Sequence, residues 1–192
     1  MKFFLKTTGC RANQWDSYVI SNLLIDKGHT QSQLDNADVC IINACALTEN
    51  AERDIKRFIN QCRTKNPETR IIIAGCHGQV YPEKSYGADL IMGNREKFDL
   101  PDYIQAIGIV RGENNTLFLE EANIKGVQAG KTRFFLKIQD GCDRFCTYCV
   151  VPFARGRPRS RPVAEVLEAV RILKEKGIKE VVLTGIELSA YQ

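Results

Sequence analysis

The sequence predicts an α/β protein: an open parallel sheet over residues 1–115, then from residue 132 a β-α-β portion that opens a larger barrel or sheet. Three observations predict it. Short apolar runs alternate with helical patterns at the spacing of βα units. The runs at 39–42 and 71–74 are continuously apolar, as expected of strands buried on both faces. Finally, 44% hydrophobic and 26% charged residues over 192 positions is globular composition, which excludes a disordered or collagen-like chain.

The elements follow in order. Phe3-Phe4-Leu5 reads as the first strand, with a loop over Thr7–Asn13. From about Gln14, Tyr18, Val19, Ile20, Leu23 and Leu24 recur near a 3.6-residue period, so a helix follows, and Gly28 stops it. Val39-Cys40-Ile41-Ile42 is the second strand. Thr48 is placed to cap a helix running to about Lys65, before Pro67. Ile71–Ala74 and Leu90–Met92 are further strands, and Leu117–Leu119 another. Residues 116–131, ending in Gly126–Lys131, read as a linker. Arg133–Ile138 begins the second unit as a strand and leads into a cysteine-rich loop. A helix over Pro162–Lys176, with Val166, Val170 and Leu173 on one face and Gly177 after it, precedes a strand at Lys179–Thr184. Two strands and one helix bury little core by themselves, so this unit is expected to be the front of something larger.

No apolar run approaches the ~18 residues that span a bilayer. The N-terminus turns polar after three apolar residues, too few for a signal peptide. The expectation is a cytoplasmic protein with no membrane partner. Eight cysteines in a reducing compartment then point to metal or redox chemistry rather than disulfides.

Cys10, Cys45 and Cys76 each follow a predicted strand, 35 and 31 residues apart. Loops at the C-terminal ends of parallel strands share one sheet edge, which brings these thiols together. Gly9 and Gly75 precede two of them and permit a sharp turn. Three soft thiolates suit an iron–sulfur cluster, or zinc with a further ligand; the plainer reading is three small fillers at strand ends. Cys40, inside a strand, and Cys62, on a helix, read as fillers. Cys142, Cys146 and Cys149 form C-x3-C-x2-C after a strand, a spacing that grips one cluster; zinc would want a fourth ligand. His29 and His77 lie far off in sequence and read as surface or loop residues.

Net charge is +4, from 27 basic and 23 acidic residues. Residues 1–112 carry 14 basic and 13 acidic side chains, whereas 131–161 carry eight basic against Asp140 and Asp143. Arg155, Arg157, Arg159 and Arg161 recur at every second position, which on an extended segment aligns them on one side. An anionic partner suits them; a solvated basic loop is the bland alternative.

C-x3-C-x2-C resembles the signature of radical S-adenosylmethionine enzymes. The run Lys137–Cys142, Tyr148–Gly156 and Arg159–Pro162 resembles the methylthiotransferase family within them. Thr8–Gln14, Asn43-Ala44-Cys45 and Ala74-Gly75-Cys76 resemble that family's three auxiliary-cluster motifs in order, with Ala44 and His77 as departures that remove no ligand. Leu183–Tyr191 looks most like the subfamily acting on threonylcarbamoyladenosine in tRNA.

The resemblance implies a partial TIM barrel beginning at the second unit and two [4Fe-4S] clusters. Cys142, Cys146 and Cys149 would hold the one that binds S-adenosyl-L-methionine; Cys10, Cys45 and Cys76 would hold the other, which carries the sulfur. Tyr148 would pack on the cofactor adenine and Glu187 accept from its amino group. No residue is singled out as catalytic. Implied partners are the tRNA anticodon arm, with the four arginines as RNA-binding candidates, and a one-electron reductant; the sulfur donor is unassigned. Isopentenyladenosine or a ribosomal-protein aspartate are the alternative substrates, and a non-catalytic iron–sulfur or zinc scaffold the alternative of another class. The family continues into further barrel strands and an RNA-binding domain, so this chain reads as an N-terminal fragment expected to lack turnover alone.

Overall fold

The computed structural model describes residues 1–46, 49–113, 124 and 132–192. Its first half comprises β1 (Lys2–Thr7), α1 (Arg11–Asp26), β2 (Thr30–Gln31), β3 (Val39–Ala44), α2 (Glu49–Lys65), β4 (Arg70–Gly75), α3 (Cys76–Val80), β5 (Leu90–Met92), α4 (Leu100–Tyr103) and β6 (Gly108–Val110). Six strands form one parallel sheet in the order β2-β1-β3-β4-β5-β6. The second half comprises β7 (Arg133–Lys137), β8 (Gln139–Asp140), α5 (Val151–Arg155), β9 (Arg159–Ser160), α6 (Val163–Glu175) and β10 (Glu180–Thr184). There β10 pairs with β7 in parallel, and β8 with β9 antiparallel.

Side-chain alternation along the central strands divides the core. Val39 and Ile41 face α1, joining Phe3, Ile20, Leu24, Ile72, Leu90 and Met92. Cys40 and Ile42 face the other way, onto Ile55, Phe58, Ile59 and Cys62 of α2. Both layers are dry, which is why β3 reads as a continuous apolar run.

Helix α1 has a second buried side. Its Trp15 and Val19 pack with Phe134, Leu136, Ile138, Ala169, Leu173 and Ile178 in a third core. Trp15 meets Phe134 edge-on at 5.8 Å, and Tyr18 meets the same ring at 5.1 Å. Truncating Trp15, 1% exposed, to alanine is expected to cost about 3–5 kcal/mol. A urea midpoint equal to that of the unaltered chain would contradict this.

Several expectations need adjustment. Helix α1 starts at Arg11 rather than Gln14, because Cys10 takes the N-cap position in extended conformation and accepts from the Gln14 amide. The short edge strands β2 and β6 and the helix α5 have no periodic signature and went unread. The proposed strand at 117–119, the Thr48 cap and the linker at 116–131, apart from Ile124, lie outside the described residues. Among the described residues no helix is long and apolar enough to cross a membrane.

Candidate metal centres at two sheet edges

Strands β1, β3 and β4 are neighbours, and a cysteine follows each, directly after β3 and β4 and three residues beyond β1. Cys10 caps α1, Cys45 follows β3 directly, and Cys76 is the first residue of α3. The turns that carry them are tightly made. Gly9 has φ +93°, and a Cβ there would sit 2.5 Å from Cys45 Cβ and 2.8 Å from its Sγ. Gly75 has φ +94°, with Asn43 Oδ1 filling the space a side chain would need. The amides of Thr8 and Cys45 donate to Asn43 O at 3.1 Å and Thr8 Oγ1 at 3.0 Å. Asn13 Nδ2 donates to Thr8 O, and Asn43 Nδ2 to Asn13 O, each at 2.9 Å. These bonds tie the loops that carry Cys10 and Cys45 to one another.

The second set lies on the loop between β8 and α5. Gln139 organises it: its Nε2 donates to the carbonyls of Asp140 and Gly141, and its Oε1 accepts from the amides of Ile186 and Glu187. The loop after β7–β8 is thereby tied to the end of β10. The Cys142 amide donates to Gly156 O at 3.0 Å and the Cys149 amide to Cys146 O at 2.9 Å. Arg144 Nε pairs with Glu187 Oε2 at 3.1 Å. A hydrogen bond from Ser189, then the charge of Arg144, hold the Glu187 carboxyl below its usual range. Glu187 thus lies beside the cysteine loop, and Tyr148 is 90% exposed next to Cys149. Phe145 takes φ +46° and also projects outward, edge-on to Phe153.

None of the eight cysteines forms a disulfide. Among the described residues no three histidine, cysteine or acidic side chains converge as one bound ion requires. A multi-iron cluster holds its thiolates further apart than a single ion, and each triplet consists only of soft sulfur donors, so the donor chemistry fits such clusters. Cys40 and Cys62 instead pack together beneath α2, Cys62 donating to Cys40, which lowers the Cys40 pKa and raises that of Cys62. His77 is a correction: it is 1% exposed, ringed by Tyr81 and Tyr86, and burial lowers its pKa.

The arginine reading also needs correction. Arg155 ends α5 rather than lying on an extended strand, and it is buried. Its Nη1 meets Asp140 Oδ1 at 2.8 Å and its Nη2 meets Asp16 Oδ2 at 3.1 Å, with Asn13 Oδ1 as a further acceptor. Arg161, fully buried, bonds Lys137 O and Glu165 and lies over the Trp15 ring. Arg159 pairs with Asp140 Oδ2 at 3.0 Å. Only Arg157 of the four presents an exposed side chain. Three of the eight basic residues of 131–161, Lys137, Arg155 and Arg159, are met inside the molecule by Asp140 and by Asp16 from the first half.

Asp16 is the centre of that arrangement. Lys97 and Lys137 each reach it at 2.6 Å, beside Arg155. Lys137 also pairs with Asp140 at 3.0 Å. Burial pushes the Asp16 carboxyl up, but Lys137, Lys97 and Arg155 together hold it well below the carboxylate range. Asp140 is held low in the same way, burial again being outweighed by Arg155, Lys137 and Arg159. Sequence reasoning missed Asp16, Lys97, Lys137 and Gln139. One signal existed: Asp16 stands between Ala12 and Ile20 at four-residue spacing, a charge inside an apolar stripe.

The uncharacterized protein family UPF0004 matches residues 2–93, and the radical SAM superfamily matches residues 136–192. Threonylcarbamoyladenosine tRNA methylthiotransferase MtaB of Aquifex aeolicus is 38% identical over 202 residues, covering 100% of this chain and 49% of its own. The MtaB protein of Rickettsia prowazekii is 38% identical, covering 96% and 43%. The tRNA-2-methylthio-N(6)-dimethylallyladenosine synthase of Clostridium novyi is 35% identical, covering 99% and 45%. This chain therefore spans about half the length of the curated relatives it matches. Among solved structures, the radical S-adenosylmethionine methyltransferase TsrM of Kitasatospora setae is similar in fold, with a TM-score of 0.64 at 14% identity over 98% of this chain and 48% of that one.

Proposed function

Because the chain joins a UPF0004 segment to a radical S-adenosylmethionine segment and resembles the tRNA methylthiotransferases throughout its length, we propose that it serves in adding a methylthio group to C2 of N6-threonylcarbamoyladenosine beside the tRNA anticodon. The observation that carries this reading is the pair of all-thiol triplets, one on the loops after β1, β3 and β4 of the parallel sheet and the other on the loop that follows β7 and β8. Two sulfur-ligated groups match a reaction that needs both a radical initiator and a sulfur source.

In this reading Cys142, Cys146 and Cys149 hold the [4Fe-4S] cluster that receives S-adenosyl-L-methionine, and Cys10, Cys45 and Cys76 hold the second. When bound, these cofactors supply one-electron sulfonium cleavage, hydrogen abstraction at C2 and the sulfur; the electron comes from an external reductant. The chain supplies placement. Gln139 fixes the first of those loops against β10, so Glu187 faces the same site and its ionised carboxylate can accept from the cofactor's amino group. Tyr148 offers a ring to the adenine. Arg157 remains available for RNA phosphate, with affinity that falls as salt rises. The setting is the cytoplasm, where tRNA is modified.

Iron and acid-labile sulfide after anaerobic reconstitution test the cofactor assignment. About eight irons per chain are expected, falling to about four when Cys142, Cys146 and Cys149 are all replaced by alanine. Stoichiometric zinc without sulfide would overturn it. For the substrate, mass spectrometry of tRNA nucleosides after deletion of the gene is expected to show loss of the 2-methylthio group from threonylcarbamoyladenosine. Loss from dimethylallyladenosine instead would favour the second reading, which the likeness to the Clostridium novyi synthase supports.

A further inference from the structure

Lys97 is 1% exposed, on the short helical turn at Glu96–Asp99 after β5. A lysine is buried at considerable cost unless its charge answers another. Its Nζ donates to Asp16 Oδ2 at 2.6 Å and to Asn94 Oδ1 at 2.7 Å. Asp16, however, also accepts from Lys137 and Arg155, so one carboxylate is shared among three cations. The neutral Asn94 amide is the more informative partner. Its Oδ1 also accepts from the Cys76 thiol at 3.8 Å. Lys97, Asn94 and Cys76 therefore form a continuous hydrogen-bonded line from a buried ammonium to a candidate ligand sulfur.

Helix α3, which begins at Cys76, also packs against α5, which ends at Arg155. When a thiol binds iron it gives up its proton, and the sulfur becomes negative. The Asn94 oxygen then loses one of its two donors while Lys97 stays, and the Lys97 field falls on the sulfur through a buried, weakly screening medium. A fixed positive charge beside a group that accepts an electron favours its reduced form. Net charge and hydrogen bonding near the sulfurs are among the factors that set cluster potentials.

We propose that Lys97, held near Cys76 by its bonds to Asp16 and Asn94, is a positioning residue whose charge raises the reduction potential of the iron–sulfur group held by Cys10, Cys45 and Cys76. The proposal rests on the reading that those cysteines hold such a group. Neither Lys97 nor Asn94 contacts substrate in this account; their effect is on how readily that group takes one electron.

The test is a dithionite redox titration with mediators, followed by electron paramagnetic resonance, in the chain carrying alanine at Cys142, Cys146 and Cys149 so that one group contributes. Lys97→Met is expected to lower the reduced-to-oxidised ratio at a given potential about tenfold, a shift of ~59 mV for a one-electron couple. Lys97→Arg, which keeps the charge, is expected to recover most of that shift. A Lys97→Met variant that titrates with the parent, or a Lys97→Arg variant displaced as far as Lys97→Met, overturns the proposal. Should Lys97→Met fail to fold, Asn94→Asp places a negative charge next to Cys76 and is expected to move the potential the same way; an unmoved potential overturns the proposal equally. Absence of iron and sulfide from the parent chain is seen before any titration and removes the underlying reading together with the inference.

Discussion

Replacing Asp16 with alanine is expected to lower stability by about 3–5 kcal/mol, the range for removing one partner from a buried charge set. The loss is large because Asp16 is fully buried and three cations converge on it from separate parts of the chain. Lys97 comes from the turn after β5, Lys137 from β7 and Arg155 from the end of α5, so the carboxylate holds the two halves together. Asp16→Asn keeps the shape but not the charge and is expected to lose most of the same amount. Acid dependence gives an independent check. The Asp16 carboxyl is held below its unfolded value, so its contribution is fully present above pH ~4 and is lost as pH falls from there toward the folded pKa. Asp16→Asn should accordingly show a flatter loss of stability between neutral pH and pH 3 than the unaltered chain. Urea midpoints across that range measure both effects. Equal midpoints for Asp16→Ala and the unaltered chain at pH 7 would show that the cations are satisfied without it.

Gly141→Ala is the second change with a large expected effect, and its cause is steric. Gly141 sits at φ +75° immediately before Cys142, and a Cβ there would lie 2.0 Å from Arg157 O and 2.7 Å from Gly156 O. These are backbone atoms of the segment that accepts the Cys142 amide and positions Arg155 and Arg159 against Asp140. The segment cannot yield without pulling at the buried charges. A side chain at positive φ costs about 1–2 kcal/mol, and overpacking adds about 1–3 kcal/mol more. Gly177→Ala is the matched control, since Gly177 has φ +80° with open space around it. Gly177→Ala is expected to show only the conformational cost and full iron content. Gly141→Ala should lose about half of the bound iron, as well as stability. If both variants retain the same iron and the same midpoint, the close approach at Gly141 has no consequence for the loop.

Much of the fold was legible because it depends on local patterns. The continuous apolar runs at β3 and β4 identified central strands, and Gly28 and Gly177 marked helix ends correctly. The placement of Cys10, Cys45 and Cys76 after neighbouring strands was legible by spacing, since a parallel sheet delivers its strand ends to one edge. Pairing across distance was not legible. Arg155 looked like part of an outward basic row because its partner Asp16 arrives from 139 positions earlier through tertiary packing. Lys97 is unremarkable in sequence, with ordinary polar neighbours. Even α5, five residues long, is set by the loop it closes rather than by any period of its own.

Helix α1 serves as a wall of two cores at once, with Ile20 and Leu24 turned to the first sheet and Trp15 and Val19 to the second. Successive residues on a helix are separated by about 100°, so a small rotation that improved one packing face would carry the other out of place. Cys10 stands at the head of that same rod, and Asp16 lies less than two turns along it. Neither half of the molecule is therefore a free module: to transplant one into another protein is to transplant a helix already cut to fit its neighbour. The orientation of the two cysteine edges thus depends on the angular setting of this rod, together with the charges gathered on Asp16 and the packing of α3 against α5.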